Sequence, residues 1–207
     1  MRELPWHGLL LARHGQTDDN LEPLRFQGFR DTPLNEVGRR QAHELAELLA
    51  GEPIASLWSS DLRRARETAE IVGARIGLAP RLDARLREGF RGRWEGRLFA
   101  DVARAEPEEF AAWQRAGADF RFPGGESLRE HCERVVAALD DIQAVGELPA
   151  LIVCHRGSIR MVLCLADERG LDAFHEHDVP NTGIVALCHG LIGRGIGRPP
   201  PAPRWKS

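Results

Sequence analysis

Two histidines in this sequence each follow a short apolar run and each lie beside an arginine. Leu9–Ala12 leads into Arg13-His14-Gly15, and Leu151–Cys154 leads into His155-Arg156-Gly157. Such runs are typical of strands buried on both faces of a parallel sheet, and ligands bind at the carboxyl ends of strands in open α/β sheets. Helix N-termini favour anions, and the guanidinium fork of arginine fits phosphate oxygens. The two segments therefore predict a phosphate site.

A third strand end carries further positive charge. The strand predicted over residues 54–58 is followed by Ser59-Ser60-Asp61-Leu62-Arg63-Arg64-Ala65, which places two arginines on the first turn of a helix. A single arginine there would most often be a solvated surface charge. Because three strand ends all supply cations, one shared anion pocket is the better explanation.

The elements that must position these residues alternate along the chain. Asn35 and Ser127 are predicted helix N-caps, Ser127 in a capping box with Glu130, and Gly77 is a predicted C-cap. Strands are predicted at 9–12, 54–58, 151–154 and 184–188, and helices at 36–49, 62–76, 98–117, 128–142 and from about 158. The pattern predicts an α/β fold, a three-layer α/β/α sandwich with a mostly parallel central sheet.

The chain is expected to form one domain. Its 207 residues are enough to bury about 70% of the surface that the unfolded chain exposes. No internal repeat or linker divides it, and we assign the domain to residues 1–192. The remaining residues 193–207, GRGIGRPPPAPRWKS, are predicted to be a disordered tail, since Gly, Pro and Arg supply no core.

Composition and charge argue against several classes of protein. The net charge is −3 and no basic run exceeds two residues, so no nucleic-acid surface is expected. The apolar stretches are far shorter than the roughly 20 residues that span a membrane, and Met1–Trp6 contains no signal-peptide core. The cysteines show no Cys-x-x-Cys spacing, and we interpret them as reduced core thiols of a cytoplasmic protein rather than nucleophiles. They are Cys132, Cys154, Cys164 and Cys188.

Five ordered motifs resemble those of the histidine phosphatase superfamily, which has the phosphoglycerate mutase-like fold. The segment 13–20, RHGQTDDN, fits the pattern R-H-G-[EQ]-[ST]-x-x-N. The likeness continues through "FQGFRDTPLNEVGRRQA", "SSDLRRARETA", "LREGFRGRWEG", "PGGES" and the strand that ends at His155. It covers roughly residues 9–190, and it implies an α/β/α sandwich, in agreement with the element pattern.

The resemblance also implies roles for single residues. His14 falls where the family has its nucleophile, which becomes phosphohistidine, and His155 is counted with it as catalytic. A phosphate monoester carries nearly two negative charges, which arginines and a protonated His155 would neutralise, while His14 must attack as neutral imidazole. The implied phosphate-binding residues, besides His155, are Arg13, Arg64, Asn20, Gln27 and Gly28.

Glu88, in the pattern Glu-x-x-x-Gly-x-Trp-Glu-Gly, matches the proton donor of the phosphatase branch. The leaving alkoxide needs a proton, and a carboxyl supplies one near neutrality only if burial raises its pKa. Phe90 and Trp94 favour such burial; the alternative is a surface glutamate with an ordinary pKa. Arg156 departs from the glycine that commonly follows the second histidine, and its side chain could add a cation to the pocket rim or point away.

The predicted function is a metal-independent phosphomonoesterase that hydrolyses small organic phosphates through phosphohistidine and needs no cofactor. The alternative is a 2,3-bisphosphoglycerate-dependent phosphoglycerate mutase, against which the chain length and the sequence around Glu88 argue. A non-catalytic phospholigand-binding protein is a third, weaker alternative. The expected partner is a small phosphorylated metabolite, with no nucleic acid and no membrane, and many relatives form homodimers.

Other signals are given less weight. His175-Glu176-His177-Asp178 looks like a metal cluster, but adjacent helical residues face different directions, so no metal site is predicted. His7, His43 and His131 lie among polar residues and are predicted to be surface or capping groups.

A lid is predicted over residues 98–126. Its aromatic residues are interpreted as core packing more than as a substrate box, and Arg91, Arg93 or Arg121 could pair with a substrate carboxylate. These aromatic residues are Phe99, Phe110, Trp113, Phe120 and Phe122.

Overall fold

The computed structural model describes residues 4–115, 117–188 and 191–194. Its strands are β1 (Leu9–Arg13), β2 (Ser56–Ser59), β3 (Arg81–Leu82), β4 (Ala150–Cys154), β5 (Ile184–Cys188) and β6 (Leu191–Arg194). Its α-helices are α1 (Glu36–Leu48), α2 (Arg63–Ile76), α3 (Phe99–Ala105), α4 (Pro107–Gln114), α5 (Leu128–Val145) and α6 (Arg156–Ala166).

The strands form a single sheet in the order β3-β2-β4-β1-β5-β6. The pairs β1–β4, β4–β2 and β2–β3 are parallel, whereas β5 runs antiparallel to β1 and β6 antiparallel to β5. The prediction of a mostly parallel sheet is therefore confirmed. Arg13 is paired with Cys154 across β1 and β4, so the next residues, His14 and His155, leave neighbouring strands at the same level.

Helices cover both faces of the sheet. On one face α1 and α2 pack over β2 and β4, where Leu45 and Val72 meet Leu57 and Leu151. On the other face α5 and α6 bring buried aliphatic side chains against β1 and β4. Strands buried on both sides account for the continuous apolar runs in the sequence. The predicted three-layer α/β/α sandwich is confirmed.

Most helix ends lie where capping chemistry predicts them. Asn35 accepts a hydrogen bond from the Gly38 amide, Ser127 and Glu130 form the capping box, and Gly77 ends α2 with a φ of 76°. α6 begins two residues earlier than predicted, with His155 at its N-cap.

The single helix predicted over residues 98–117 is wrong. The chain forms α3 and α4 instead, and Glu106 between them has φ −138° and ψ 60°. Proline disfavours helical geometry in the residue before it, so Pro107 ends α3 and begins α4 at its own first turn.

Part of the predicted tail belongs to the sheet. Gly193 and Arg194, which we assigned to the tail, lie in β6, and residues 195–207 lie outside the described residues. Within the described ranges no helix is long and apolar enough to cross a membrane.

The cysteines described with their side chains are buried free thiols. Burial raises the pKa of Cys132 to about 11, and the pKa values of Cys154 and Cys164 to about 12. These thiols therefore stay protonated at neutral pH and are poor nucleophiles. The side chain of Cys188 lies outside the described part of the chain.

Candidate active site

His14 directly follows β1 and is buried. Its Nδ1 lies 2.6 Å from the carbonyl oxygen of Gly15, which can only accept, so Nδ1 carries the proton. The lone pair of the neutral ring is therefore on Nε2, which accepts a hydrogen bond from Arg64 Nε at 3.3 Å. Burial, and then Arg64, His155 and Arg13, lower the pKa of His14 well below its usual value. His14 is thus a neutral imidazole with an available lone pair.

His155 lies beside His14, with 5.1 Å between the ring centroids. Its Nε2 is 2.9 Å from Ser60 Oγ, and its buried Nδ1 has no hydrogen-bond partner among the described residues. Burial, and then Arg64 and His131, lower its pKa well below the usual value. In the protein alone His155 is therefore neutral, and the prediction of a protonated ring is wrong for this state. Only the negative charge of a bound phosphate would favour the protonated form.

Two buried arginines flank His14. Arg64 Nη1 and Nη2 donate to the carbonyl oxygens of Arg30 and Gly28 at 2.7 and 2.9 Å, which fixes the guanidinium edge that faces His14. Arg13 Nη1 donates to Val179 O at 2.6 Å, while its buried Nε has no partner in the described part of the chain. Burial lowers the pKa of Arg64 to about 10, so it is still a cation at neutral pH.

The described residues place no carboxylate within 4.0 Å of either guanidinium, although both groups are buried. A buried charge without a counter-charge is costly in free energy, and a bound anion removes that cost. Arg13 and Arg64 are therefore suited to hold a phosphoryl group next to His14.

The three weaker phosphate-binding candidates also line the cavity. Asn20 Oδ1 accepts from the Thr17 amide at 3.2 Å, and Gln27 Nε2 donates to Thr17 Oγ1. Gly28 has φ +54°, and a Cβ there would lie 2.1 Å from Glu95 Oε1. A side chain at position 28 would therefore be strained and would displace Glu95, while the carbonyl oxygen of Gly28 accepts the hydrogen bond that orients Arg64.

Glu88 faces the same cavity, and both of its carboxylate oxygens accept hydrogen bonds. Oε1 accepts from the Gly89 amide at 2.9 Å and from Arg91 Nη2 at 3.1 Å, and Oε2 accepts from the Gly157 amide at 3.0 Å. Burial alone would raise its pKa, but Arg91 and the two amides lower it well below the usual range. The predicted rise in pKa is therefore wrong, and Glu88 is ionised until a substrate changes its surroundings.

His131, predicted to be a surface or capping group, is only 1% exposed. Its Nε2 lies 3.0 Å from Ser158 Oγ, and Ser158 Oγ donates to Arg87 O, so Ser158 accepts from His131. Burial, and then Arg134, lower the pKa of His131 to about 3. This neutral ring supports the segment that carries Glu88. Its spacing of three and four residues from Leu128 and Val135 is the helical signal that could have placed it on the buried face.

A cavity open to solvent lies in front of His14, and its empty space, with the open part included, is about 560 Å³. Five arginines and one carboxylate, Glu88, are among its described lining residues, so its charge is strongly positive. Phe99 and Trp113 of the predicted lid line it, while Phe110, Phe120 and Phe122 pack in the aromatic core behind it. The lid aromatics thus divide between wall and core. The arginines are Arg13, Arg25, Arg91, Arg156 and Arg160.

The segment that looked like a metal cluster is engaged otherwise. His175 Nε2 bonds to the carbonyl oxygen of Trp113 at 2.7 Å, and His177 Nε2 lies 3.8 Å from Asp167. Over the described ranges no group of three or more His, Cys, Asp or Glu side chains could hold a metal ion.

Comparison with known proteins decides the family. The family model described as "Histidine phosphatase superfamily (branch 1)" matches residues 9–192. The chain belongs to the histidine phosphatase superfamily. This confirms the resemblance drawn from the motifs.

Relatives within the histidine phosphatase superfamily include named phosphatases. A glucosyl-3-phosphoglycerate phosphatase of Mycobacterium tuberculosis is 38% identical over 159 residues, which is 73% of this chain and 71% of that protein. Phosphoglycerate mutase-like protein 4 of Arabidopsis thaliana is 38% identical over 157 residues, covering 73% and 67% of the two chains. A solved structure of mycobacterial glucosyl-3-phosphoglycerate phosphatase with VO3 matches with a TM-score of 0.77 at 33% identity, over 86% of this chain and 90% of that one. The chain is a histidine-type phosphatase, as predicted.

Proposed function

We propose that this phosphatase hydrolyses small organic phosphomonoesters through a phosphohistidine formed on His14. The observation that carries the proposal is the neutral imidazole whose Nε2 faces buried Arg64, with the charge of buried Arg13 also acting on the ring. In the first step, Nε2 forms a bond to phosphorus while the bond between phosphorus and the ester oxygen breaks. Arg13 and Arg64 stabilise the negative charge on the phosphoryl oxygens as it shifts.

The leaving oxygen takes a proton through Glu88. Because Glu88 is ionised in the protein alone, that proton must arrive with the substrate. A phosphate monoester has its second pKa near 6, so its monoanion carries one proton into the cavity. The negative charge of the bound phosphate raises the pKa of Glu88, which takes this proton from the monoanion and then donates it to the leaving oxygen. In the second step Glu88 accepts a proton from the water that attacks phosphohistidine, and inorganic phosphate is released.

Trapping the intermediate tests the proposal. An alkaline quench during turnover should leave a phosphoryl group on His14, detected by intact mass and peptide mapping, and acid treatment should remove it. His14→Ala should lose both the adduct and turnover, whereas His43→Ala, at an exposed position on α1, should retain both. Circular dichroism would check folding in each variant. Substantial turnover by His14→Ala would overturn the assignment.

The same preparations separate hydrolysis from mutase activity. A mutase must keep phosphohistidine from water and return the phosphoryl group to a second hydroxyl, whereas a phosphatase releases it as inorganic phosphate. We expect phosphate release without priming by bisphosphoglycerate. Interconversion of 3-phosphoglycerate and 2-phosphoglycerate that outpaced phosphate release would make the mutase alternative correct.

A further inference from the structure

Two arginines in the cavity are not explained by phosphoryl transfer. Arg156 and Arg160 lie one turn apart on α6, and both line the cavity that contains His14. Arg160 is held in place, since its Nε donates to the carbonyl oxygen of His177 and its guanidinium lies 5.5 Å from the ring centroid of Phe174. Its remaining guanidinium donors are therefore presented from a fixed position.

Both guanidinium groups lie apart from every described carboxylate. Across the described ranges, no Asp or Glu oxygen lies within 4.0 Å of Arg156 or Arg160. The carboxylate of the cavity, Glu88, is already paired with Arg91. Elsewhere, half-buried arginines are paired, as Arg134 is with Glu126 at 2.7 Å. Among the described half-buried arginines, Arg156 and Arg160 thus differ from the others because they form no ion pair.

The positive charges also oppose one another. Burial, and then Arg156, lower the pKa of Arg160 to about 10, and Arg156 is the strongest charged neighbour that lowers the pKa of Arg13. Asp178 and Glu88 relieve this repulsion only in part. Arg160 lies about 6 Å from Arg156 along the axis of α6, so a single phosphoryl group beside Arg13 would not pair with both of the α6 guanidinium groups.

We propose, on the basis of the proposed function, that Arg156 and Arg160 form a subsite for a second anionic group of the substrate. The substrate class is then a phosphomonoester that carries a carboxylate or a second phosphate on its organic body. The apolar part of that body would contact the aromatic walls of the cavity, which are Phe26, Phe99, Trp113 and Phe174.

The test compares substrates that differ only in the second group. 3-Phosphoglycerate and glycerol 1-phosphate differ by a carboxylate in place of a hydroxymethyl group, and fructose 1,6-bisphosphate and fructose 1-phosphate differ by a second phosphate. The wild type should favour the more charged member of at least one pair by about 10-fold or more in kcat/KM. The pair that shows the preference identifies the second group.

Arg156→Gln and Arg160→Gln should each raise KM for that charged substrate by about 10- to 100-fold, as expected for loss of a hydrogen bond to a charged group. Their kcat/KM for the less charged partner, which lacks the second anionic group, and for p-nitrophenyl phosphate should change less than about threefold. Arg104→Gln is the matched control, because Arg104 is 80% exposed and pairs with Asp101 on α3. It should leave all substrates unaffected.

Two results would overturn the subsite. The wild type could show no preference within either pair, or the Gln variants could lose both members of a pair equally, which would place Arg156 in the phosphoryl pocket instead. Calorimetric binding of 3-phosphoglycerate and glycerol 1-phosphate to His14→Ala gives a second readout without turnover. If no monoester were hydrolysed, the proposed function would fail, while this binding preference would still decide the subsite.

Discussion

Replacement of Glu88 by glutamine is the most informative single change, since it alters one proton and hardly alters shape. Both oxygens of Glu88 accept hydrogen bonds, from Gly89 and Arg91 on one side and from Gly157 on the other. A glutamine has only one acceptor oxygen, so its NH₂ group must face a donor on one of these sides. The variant therefore loses at least one hydrogen bond and leaves Arg91 buried without its counter-charge.

The expected magnitudes follow from these contacts. A buried donor left without its partner costs about 1–3 kcal/mol, and removal of one member of a buried ion pair costs about 3–5 kcal/mol. The two costs concern the same contacts, so we expect the free energy of unfolding to fall by about 3 kcal/mol. Loss of the acid should reduce kcat for alkyl phosphates by about 10²–10⁴-fold, or ~2.7–5.4 kcal/mol of barrier.

The pH dependence of stability has a definite sign. The pKa of Glu88 is lowered in the folded protein, so its contribution is present above the unfolded pKa of about 4.3 and is lost as pH falls through the folded value. Urea unfolding of wild type and Glu88→Gln should therefore differ most near pH 7. The difference should shrink below about pH 4.

Steady-state assays with two leaving groups isolate the chemical role of Glu88. The loss should be large for an alkyl phosphate and less than about tenfold for p-nitrophenyl phosphate, whose leaving group needs little protonation. In the wild type, kcat/KM for the alkyl substrate should fall above about pH 6, where the monoanion disappears. Glu126→Gln is a matched control, because it breaks the nearby ion pair with Arg134 and should not discriminate between leaving groups.

Equal losses on both substrates would remove Glu88 from the acid role. A flat profile of kcat/KM between pH 5 and 8, a range chosen to bracket the phosphate pKa of about 6, would contradict delivery of the proton by the substrate. Either result would refute the reasoning from the lowered pKa of Glu88.

Three further outcomes are expected. EDTA should leave kcat/KM unchanged and vanadate should inhibit, because arginine side chains supply the positive charge; restoration of chelated enzyme by a divalent ion would contradict this. His131→Ala should lower the free energy of unfolding in urea by about 2–4 kcal/mol, against less than about 0.5 for exposed His43→Ala. Because the folded pKa of His131 is about 3, the free energy of unfolding of the wild type should decrease as pH falls below about 6.5. If His131→Ala showed the same decrease with pH, the histidine would not be a buried neutral ring. Gly28→Ala should lower kcat/KM at least about tenfold by displacing Arg64. Gly77 has φ +76° and open space around it, so Gly77→Ala should lower stability without lowering kcat/KM. Equal kcat/KM for the two variants would argue against the role of Gly28 in positioning Arg64.

Local chemistry accounts for the parts of the fold that were predictable. Helix caps such as Asn35 and Ser127 act within three residues of themselves, and buried strands are recognisable from unbroken apolar runs. The direction of β5 depends on its pairing with β1, which is distant in the sequence. The residues of β5 alone therefore do not predict its antiparallel orientation. Pro107 itself was a local signal for the break between α3 and α4. We predicted one helix because the apolar residues on both sides have helical spacing.

The location of the site was also predictable, because parallel strands bring their carboxyl ends to one edge and both histidines follow such ends. Its electrostatics were not. The pKa of Glu88 is lowered first by Arg91, three residues along the chain, and further by the backbone amide of Gly157 in α6. Gly157 is 69 residues from Glu88, and only the packing of α6 against the sheet brings the two together.

The charge states of the site follow from one arrangement. Arg64 both faces the lone pair of His14 and, after burial, lowers that ring's pKa most strongly, so a cation that attracts phosphate also keeps the nucleophile unprotonated. Arg91 and the backbone amides of Gly89 and Gly157 in turn keep the carboxylate of Glu88 ionised, so Glu88 does not itself hold the proton that the leaving oxygen needs. The bound substrate must then supply both a counter-charge for the buried arginines and the proton that Glu88 donates to the leaving oxygen. The proposed mechanism therefore predicts that kcat/KM follows the protonation of the phosphate rather than that of Glu88.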